Sequence, residues 1–256
     1  MMKATGTGRI VLWGGGSVWI GRAGEATGFH SHHAVQITLA FPGNEVRFRR
    51  PSGPWRSYAG TIIAAHQVHA FEARETLVAL VFVEPESREG RAIHQANLDA
   101  GIAPLETDLV GPQIEGLARA YTENASNEDL ATLARSIIAR LAAISPAPLV
   151  PLDERIARAV EFMRGRLDKP ISLAQAASAA NLSADRFRHL FVEQTGMRFR
   201  PYVLWLRIEC ALARYVAGKT LTEASHAAGL ADSAHLSRTF KRMFGVAPAS
   251  FRFEDD

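Results

Sequence analysis

The chain carries one sequence pattern twice near its C-terminus, and this repeat constrains the fold more than any other feature. Residues 173–196 read LAQAASAANLSADRFRHLFVEQTG, and residues 221–245 read LTEASHAAGLADSAHLSRTFKRMFG. Phe191 and Phe240 occupy equivalent positions 49 residues apart. Each copy places an alanine-rich helix before a turn, a capping residue and a second helix with basic residues on its outer side. The pattern predicts two helix-turn-helix units and points to DNA.

Positive charge is concentrated in the half of the chain that carries the repeat. Residues 1–150 contain 13 Lys and Arg against 14 Asp and Glu, whereas residues 151–252 contain 16 against 9. A basic half beside a nearly neutral half indicates that only one of them meets a polyanion. The single cysteine, Cys210, excludes an intramolecular disulfide. Because no apolar run approaches the ~20 residues of a membrane span, we expect a cytoplasmic protein without membrane partners.

The periodicity of apolar residues divides the chain into a β-rich part and a helical part. Short β-prone runs between glycine- and proline-bearing turns fill residues 8–84, which is typical of a sandwich or barrel. Spacings of three and four then predict helices at 109–121 and 130–141. The fold class is therefore predicted as α+β with two domains. They are a β domain at 1–104, a helical dimerisation or covering segment at 105–144, a linker at 145–152, and an all-α DNA-binding domain at 153–252.

The turns and the connection between the two units follow from single residues. Asn181 and Gly229 stand where each turn needs a left-handed backbone. Pro201 starts a connecting helix of about 16 residues, which is ~24 Å long. With the width of the flanking helices added, the two recognition helices are predicted to lie about one DNA turn apart, ~34 Å. One monomer would then reach successive major grooves on one face of the duplex.

Residues 153–252 resemble the AraC/XylS family of bacterial transcription regulators. The most specific part is the signature SHAAGL-x5-LSRTFKRMFGVAPASFR, which ends at Arg252. Departures are modest: Ser225 replaces the usual alanine, Leu230 an aromatic residue, and Phe199 a proline. The resemblance implies a sequence-specific DNA-binding regulator, expected to act as an activator, to form a homodimer and to recruit RNA polymerase.

The resemblance also assigns base reading to four residues of each second helix. These residues are Ala184, Asp185, Arg188 and His189 in the first unit, and Ser233, Ala234, His235 and Arg238 in the second. Arg is suited to guanine O6 and N7, and His can reach a purine edge. Asp185 either accepts from cytosine N4 or only stabilises the helix N-terminus. Arg186, Lys241 and Arg242 are expected to contact phosphates and set the salt dependence of binding.

A second group of residues lies in the β-rich part. The segment GEATGFHSHHAVQITLAFPG, residues 24–43, resembles the first cupin motif with Gln36 in place of the usual Glu. The segment AAHQVHAFEA, residues 64–73, resembles the second motif only through His69. Metal-binding cupins hold a divalent ion with such residues, whereas regulators of the AraC type often keep the domain without the metal. The candidate ligands for a metal or effector are therefore His30, His32, Gln36 and His69.

The chemistry of these residues leaves three alternatives open. Strand alternation places His30, His32, Gln36 and Thr38 on one face, which either lines a cavity or simply meets water. Three histidines suffice for zinc, nickel or iron. The site then binds a divalent metal, a metal-free small molecule, or no ligand. His33 and His66 are interpreted as bystanders.

The leading hypothesis is a regulator whose cupin-like domain senses a small molecule or metal and acts on the DNA-binding domain through residues 105–151. The main alternative is a cupin metalloenzyme fused to a DNA-binding domain. The missing carboxylate at Gln36 and the incomplete second motif disfavour that reading, so the chain is predicted not to be an enzyme. A nucleoid-type protein without an effector would show weak sequence discrimination and a steep salt dependence.

Overall fold

The structure, a computed structural model, describes residues 6–41 and 43–253. The chain divides into two compact units. The first comprises Met1–Val150 together with Phe240–Asp256, and the second comprises Pro151–Thr239. The first five residues of the predicted β domain and the acidic tail at 254–256 lie outside the described residues. Within the described part of the chain, the helices are all too short or too polar to cross a membrane.

The first unit is built on a seven-stranded sheet and a three-stranded sheet. Its strands are β1 (Gly6–Trp13), β2 (Gly16–Ala23), β3 (Val35–Ala40), β4 (Val46–Arg49), β5 (Arg56–Tyr58), β6 (Gly60–Ile63), β7 (Ala70–Glu72), β8 (Leu77–Val83), β9 (Ile102–Pro104) and β10 (Phe251–Phe253). The larger sheet runs β10-β1-β2-β8-β3-β6-β9 and the smaller β5-β4-β7. The β-rich N-terminal part is therefore confirmed.

The described part of the first unit also contains α1 (Arg88–Asn97), between β8 and β9, and α2 (Gly111–Thr122) and α3 (Asn127–Ile144), after β9. The apolar stripes of α2 and α3 face the sheet, because Leu117, Leu130 and Ile137 share one core with Ile37 and Leu39 of β3. The two helices predicted from periodicity are thus confirmed. Their apolar residues cover the sheet, which was one of the two roles predicted for this segment.

The second unit is helical. Its helices are α4 (Glu154–Arg164), α5 (Leu173–Ala179), α6 (Ala184–Thr195), α7 (Phe199–Val216), α8 (Leu221–Ala227) and α9 (Ser233–Phe244), whose last residues belong to the first unit. Asp153 caps α4 as predicted, accepting from the Arg155 N–H at 2.9 Å. The connecting helix α7 begins two residues before Pro201, because proline is tolerated in a first helical turn, where its missing N–H has no partner to lose.

The end of the chain contributes a strand to the sheet of the first unit. β10 pairs in parallel with β1, with Phe251 opposite Gly6. The other pairings among the described strands are antiparallel. Nearly the whole chain separates these two partners, so no local pattern in the sequence predicts the pairing.

Candidate functional site

The first helix-turn-helix unit consists of α5, a short turn and α6. Ser172 opens α5 with a capping box, in which its side chain accepts from the Gln175 N–H and the Gln175 side chain accepts from the Ser172 N–H. Asn181 holds a left-handed backbone with φ 55° in the turn. Ser183 then accepts from the Arg186 N–H at 3.4 Å and caps α6. The predicted turn and cap residues are confirmed.

The second unit repeats this construction in α8 and α9. Thr220 opens α8 with a capping box. Gly229 forms the turn with φ 68°, and a β-carbon there would lie 2.1 Å from the Leu167 carbonyl oxygen. Asp232 accepts from the His235 N–H at 2.6 Å at the start of α9. The turn therefore requires glycine both for its backbone conformation and for the space beside it.

The second helices of the two helix-turn-helix units, α6 and α9, each have a buried face and an exposed face. Phe187 and Phe191 of α6 and Leu236 of α9 are buried, as predicted. Six of the predicted base-reading residues are exposed, namely Ala184, Asp185, Arg188, His189, Ala234 and Arg238; Ser233 and His235 are half-buried. The three predicted phosphate contacts, Arg186, Lys241 and Arg242, are exposed as well. All of these side chains keep some surface that a duplex can reach.

Asp185 and Arg188 pair with each other across one turn of α6. Arg188 Nη1 donates to Asp185 Oδ1 at 2.9 Å, and the two side chains are 57% and 82% exposed. An ion pair this exposed contributes little to stability. Separating this pair therefore costs little, and the Arg188 side chain is available for other contacts.

Three histidines of the first unit converge in a buried group, called here the histidine cluster: His30, His32 and His69. The backbone N–H groups of His30 and His69 donate to each other's carbonyl oxygens at 3.0 Å in an isolated antiparallel bridge. His32 lies just before β3, and its ring centroid is 5.3 Å from that of His69. Each residue offers one ring nitrogen, and these atoms lie within 4.8 Å of one another. Both cupin-like segments thus contribute to one group.

The hydrogen bonds of the cluster determine which ring nitrogens can act as ligands. In each ring Nδ1 lies 2.8 or 2.9 Å from a backbone carbonyl oxygen, to which it donates. The acceptors are Gly28 for His30, Ala34 for His32 and Gln67 for His69. A neutral imidazole that donates from Nδ1 keeps a lone pair on Nε2, as metal-binding histidines do. His69 Nε2 is buried and has no hydrogen-bond partner among the described residues. This donor set fits a divalent metal ion.

Burial keeps the three rings neutral. Desolvation, reinforced by the neighbouring His30, lowers the pKa of His32 to about 3. Desolvation also lowers the pKa of His30 and that of His69. Since a metal binds only deprotonated imidazole nitrogens, the cluster needs no proton release to accept one at neutral pH.

Gln36 is placed beside the cluster, as the first cupin-like segment predicted. Its Oε1 lies 2.9 Å from His32 Nε2, and its Nε2 donates to Thr38 Oγ1 at 2.8 Å. A metal ion could use His32 Nε2 only after the Gln36 oxygen turned away from this nitrogen. Gln36 and Thr38 are both buried. The alternative that this face of β3 simply meets water is therefore wrong.

A second group of polar residues in this unit has no counterpart in the prediction. His33 lies with Nε2 2.9 Å from the Glu86 carboxylate and with Nδ1 3.1 Å from His66 Nε2. His33 and Glu86 are buried, so the carboxylate is stabilised by this contact. The residues come from segments 33 and 53 positions apart, and a single sequence contains no signal that joins them.

A narrow apolar cavity of about 90 Å³ lies against β1, β2 and β8. Trp19, Leu80 and Phe82 line it from the sheet, and Phe244 and Phe251 line it from the last residues of the chain. The Trp19 ring centroid is 4.9 Å from that of Phe244 and 5.4 Å from that of Phe251. His30 of the histidine cluster also reaches this cavity.

The last turn of α9 contacts the histidine cluster within the first unit. The Gly28 N–H donates to the Gly245 carbonyl oxygen at 3.2 Å. The rings of Phe244 and His32 are stacked, with centroids 5.9 Å apart. Gly245 has φ 76°, and a β-carbon on it would lie 2.5 Å from His30 Nδ1. The sequence placed Phe244 only in the helix-turn-helix core, and nothing in its spacing indicated this contact.

Comparison with known proteins extends this description. A family model described as "Helix-turn-helix domain" matches residues 176–253. The probable transcriptional regulator LumQ of Photobacterium leiognathi is 25% identical over 233 residues, which are 88% of this chain and 92% of LumQ. The arabinose operon regulatory protein of Escherichia coli is 28% identical over 122 residues, which are 47% of this chain and 42% of that protein.

The fold is similar to that of ToxT of Vibrio cholerae. A structure of an apo ToxT variant superposes with a TM-score of 0.61 over 91% of this chain and 94% of ToxT, at 11% identity. Residues 176–253 are therefore similar to the helix-turn-helix domain of transcription regulators such as the arabinose operon regulatory protein. The chain binds DNA through this helix-turn-helix domain, and the relatives that it matches are transcription regulators. Another structure of ToxT contains a bound unsaturated fatty acid.

Proposed function

We propose that this protein is a regulator of the AraC/XylS type, an effector-controlled activator that binds promoter DNA as a homodimer and recruits RNA polymerase. The exposed outer faces of α6 and α9 support base reading by the eight residues named above, with Arg188 and Arg238 best suited to guanine. Arg186, Lys241 and Arg242 would position the protein on the phosphates. The connecting helix α7 has 18 residues and is about 27 Å long, which supports binding of the two helix-turn-helix units to successive major grooves.

The preferred effector is a divalent metal ion held by the histidine cluster. The convergence of three buried imidazoles, the backbone acceptors behind each Nδ1 and the unpartnered His69 Nε2 support zinc, nickel or iron(II) as the effector. The ion would supply binding energy that draws the three rings together. Gln36 Oε1 faces His32 Nε2 and would turn away from that nitrogen or join the ligands when the ion binds.

An organic effector in the apolar cavity is the second candidate. The aromatic lining and the fatty acid bound by ToxT favour an apolar molecule with a carboxylate. At about 90 Å³ the cavity is smaller than typical ligand sites of about 300–1,000 Å³. Such a molecule would therefore have to displace Phe244 or Phe251, and it would act on the same segment as the metal.

Both candidate effector sites contact the last turn of α9. The last turn of α9, the second recognition helix, packs on the histidine cluster and on the cavity through Phe244 and Gly245. Occupancy of either site changes the contacts of this turn and biases the position of α9. This route is shorter than the one predicted through residues 105–151.

The metal hypothesis is tested by elemental mass spectrometry of full-length protein purified without a His tag. We expect near-stoichiometric zinc, nickel or iron in the wild type, lost in His32→Ala and His69→Ala and retained in the control His226→Ala, an exposed histidine of α8. Wild-type protein that stays metal-free after incubation with all three ions would contradict metal sensing.

Effector control itself is tested by transcription in vitro from a promoter that carries a duplex selected by the protein from random DNA. We expect transcript yield to change on addition of the bound metal, or of a long-chain unsaturated fatty acid if no metal binds. Yields that respond to neither would contradict control by an effector, while DNA binding alone would stand.

A further inference from the structure

The hairpin formed by β4 and β5 carries a group of arginines that the regulatory function does not use. Arg49, Arg50 and Arg56 line a cavity of about 380 Å³, together with Ser52 and Tyr58. Among the described residues, none that lines this cavity is acidic. We refer to these three arginines and their cavity as the arginine pocket.

Arg49 is held in place by two aromatic rings. Its guanidinium carbon lies 4.8 Å from the ring centre of Phe29 and 4.9 Å from that of Trp55. Such cation–π contacts fix the orientation of the guanidinium before any ligand arrives. Its Nε is buried and finds no hydrogen-bond acceptor in the part of the chain that the structure describes. A buried donor left without an acceptor is unfavourable, and an anion would satisfy it.

Arg47, on the same strand as Arg49, has a carboxylate partner. Arg47 forms an ion pair with Glu72 at 2.9 Å. Within residues 6–41 and 43–253, no carboxylate pairs with Arg49 or Arg56, and Arg50 donates to the carbonyl of Ala100. Positive charges gathered without counter-charges repel one another. The pocket therefore favours a ligand with more than one negative charge.

The loop between the two strands gives the pocket a fixed wall. The Gly53 N–H donates to the Arg50 carbonyl oxygen at 3.1 Å, and Pro54 restricts the backbone that follows. Ser52 and Tyr58, which also line the pocket, carry hydroxyl groups that can donate to an anion. Planar guanidinium groups bind phosphate and carboxylate oxygens in pairs, and several donors around one centre suit the three terminal oxygens of a phosphate.

The volume of the pocket sets the size of its ligand. About 380 Å³ lies in the usual range for small-molecule sites and leaves room for an organic group beyond the phosphate. We propose that the arginine pocket binds a phosphate monoester, independently of the effector site around the histidine cluster.

Isothermal titration calorimetry of the full-length protein with phenyl phosphate tests this proposal. We expect saturable binding by the wild type, weaker binding of inorganic phosphate and of malonate, and at least a tenfold loss of affinity in both Arg50→Gln and Arg56→Gln. The control Arg88→Gln removes an exposed positive charge from α1 of the same unit and should change the affinity less than twofold. Thermal unfolding and metal content unchanged by Arg56→Gln would show that the protein remains folded and that its histidine cluster is intact.

Three results would overturn the proposal. The first is no binding of phenyl phosphate by wild-type protein that still binds its selected duplex. The second is malonate binding tighter than phenyl phosphate, which would identify a carboxylate site instead. The third is displacement of phenyl phosphate by non-specific duplex DNA together with weaker duplex binding by Arg56→Gln, which would place the pocket in the DNA interface.

Discussion

Lowering the pH of metal-free protein should destabilise the first unit through the buried His32. Only 3% of this residue is exposed, and burial lowers its pKa from 6.5 to about 3. In the unfolded chain the ring takes up a proton below about pH 6.5, while in the folded protein it stays neutral down to about pH 3. Stability is therefore complete above pH 6.5 and is lost as the pH falls through the window between the two values.

The magnitude follows from the same two numbers. A pH of 5 lies about 1.5 units below the pKa of the ring in the unfolded chain, and each unit corresponds to about 1.4 kcal/mol. His32 alone should therefore lower the free energy of unfolding by about 2 kcal/mol between pH 8 and pH 5. The lowered pKa values of His30 and His69 act in the same direction.

Urea unfolding in the presence of a chelator, followed by tryptophan fluorescence at pH 8 and pH 5, measures this loss. The matched variant His32→Gln keeps a polar side chain that does not titrate, so its loss over the same interval should be smaller by about 2 kcal/mol. If the free energy of unfolding fell equally in wild type and variant, the reasoning would be refuted, because folding would then leave the pKa of His32 unchanged.

Two further predictions concern the DNA-binding units. Gly229→Ala should lower the stability of the second unit by at least about 2 kcal/mol, because the added β-carbon meets the Leu167 carbonyl oxygen. Asn181→Gly, which keeps a left-handed turn, should change the stability by less than about 1 kcal/mol. Thermal unfolding that ranks the two variants the other way would contradict the turn geometry. Arg238→Ala should weaken binding to the selected duplex by about 1–3 kcal/mol and relax the preference at one base pair, whereas Lys241→Ala should weaken binding to all duplexes alike and reduce the salt slope by about 1. Anisotropy titrations at several salt concentrations separate these outcomes, and a uniform loss for Arg238→Ala would remove it from the base-reading set.

The sequence predicts best what is built from local interactions. The caps Ser183 and Asp232 and the turn residues Asn181 and Gly229 lie where their chemistry placed them, because each acts on backbone a few residues away. The apolar stripes of α2 and α3 predicted helices for the same reason.

Long-range pairing decided what the sequence did not predict. His30 and His32 were assigned to one continuous strand with Gln36, yet β3 begins only at Val35 and His30 instead bridges to His69. The sequence nevertheless predicted that these candidate ligands lie together, because alternation places His30, His32 and Gln36 on the same side of the chain. Phe244 contacts His32, and β10 pairs with β1, but no periodicity in the sequence predicts contacts between segments so far apart.

We infer that the histidine cluster controls the second recognition helix through Phe244 and Gly245. The most direct test is the affinity of full-length protein for its selected duplex, measured by fluorescence anisotropy with the cognate metal and with chelator. We predict at least a tenfold difference in the wild type, none in His69→Ala, and a strongly reduced difference in Phe244→Ala, which keeps all three ligands. The same affinity with metal and with chelator in metal-loaded wild type would contradict the account, and so would a full response in Phe244→Ala.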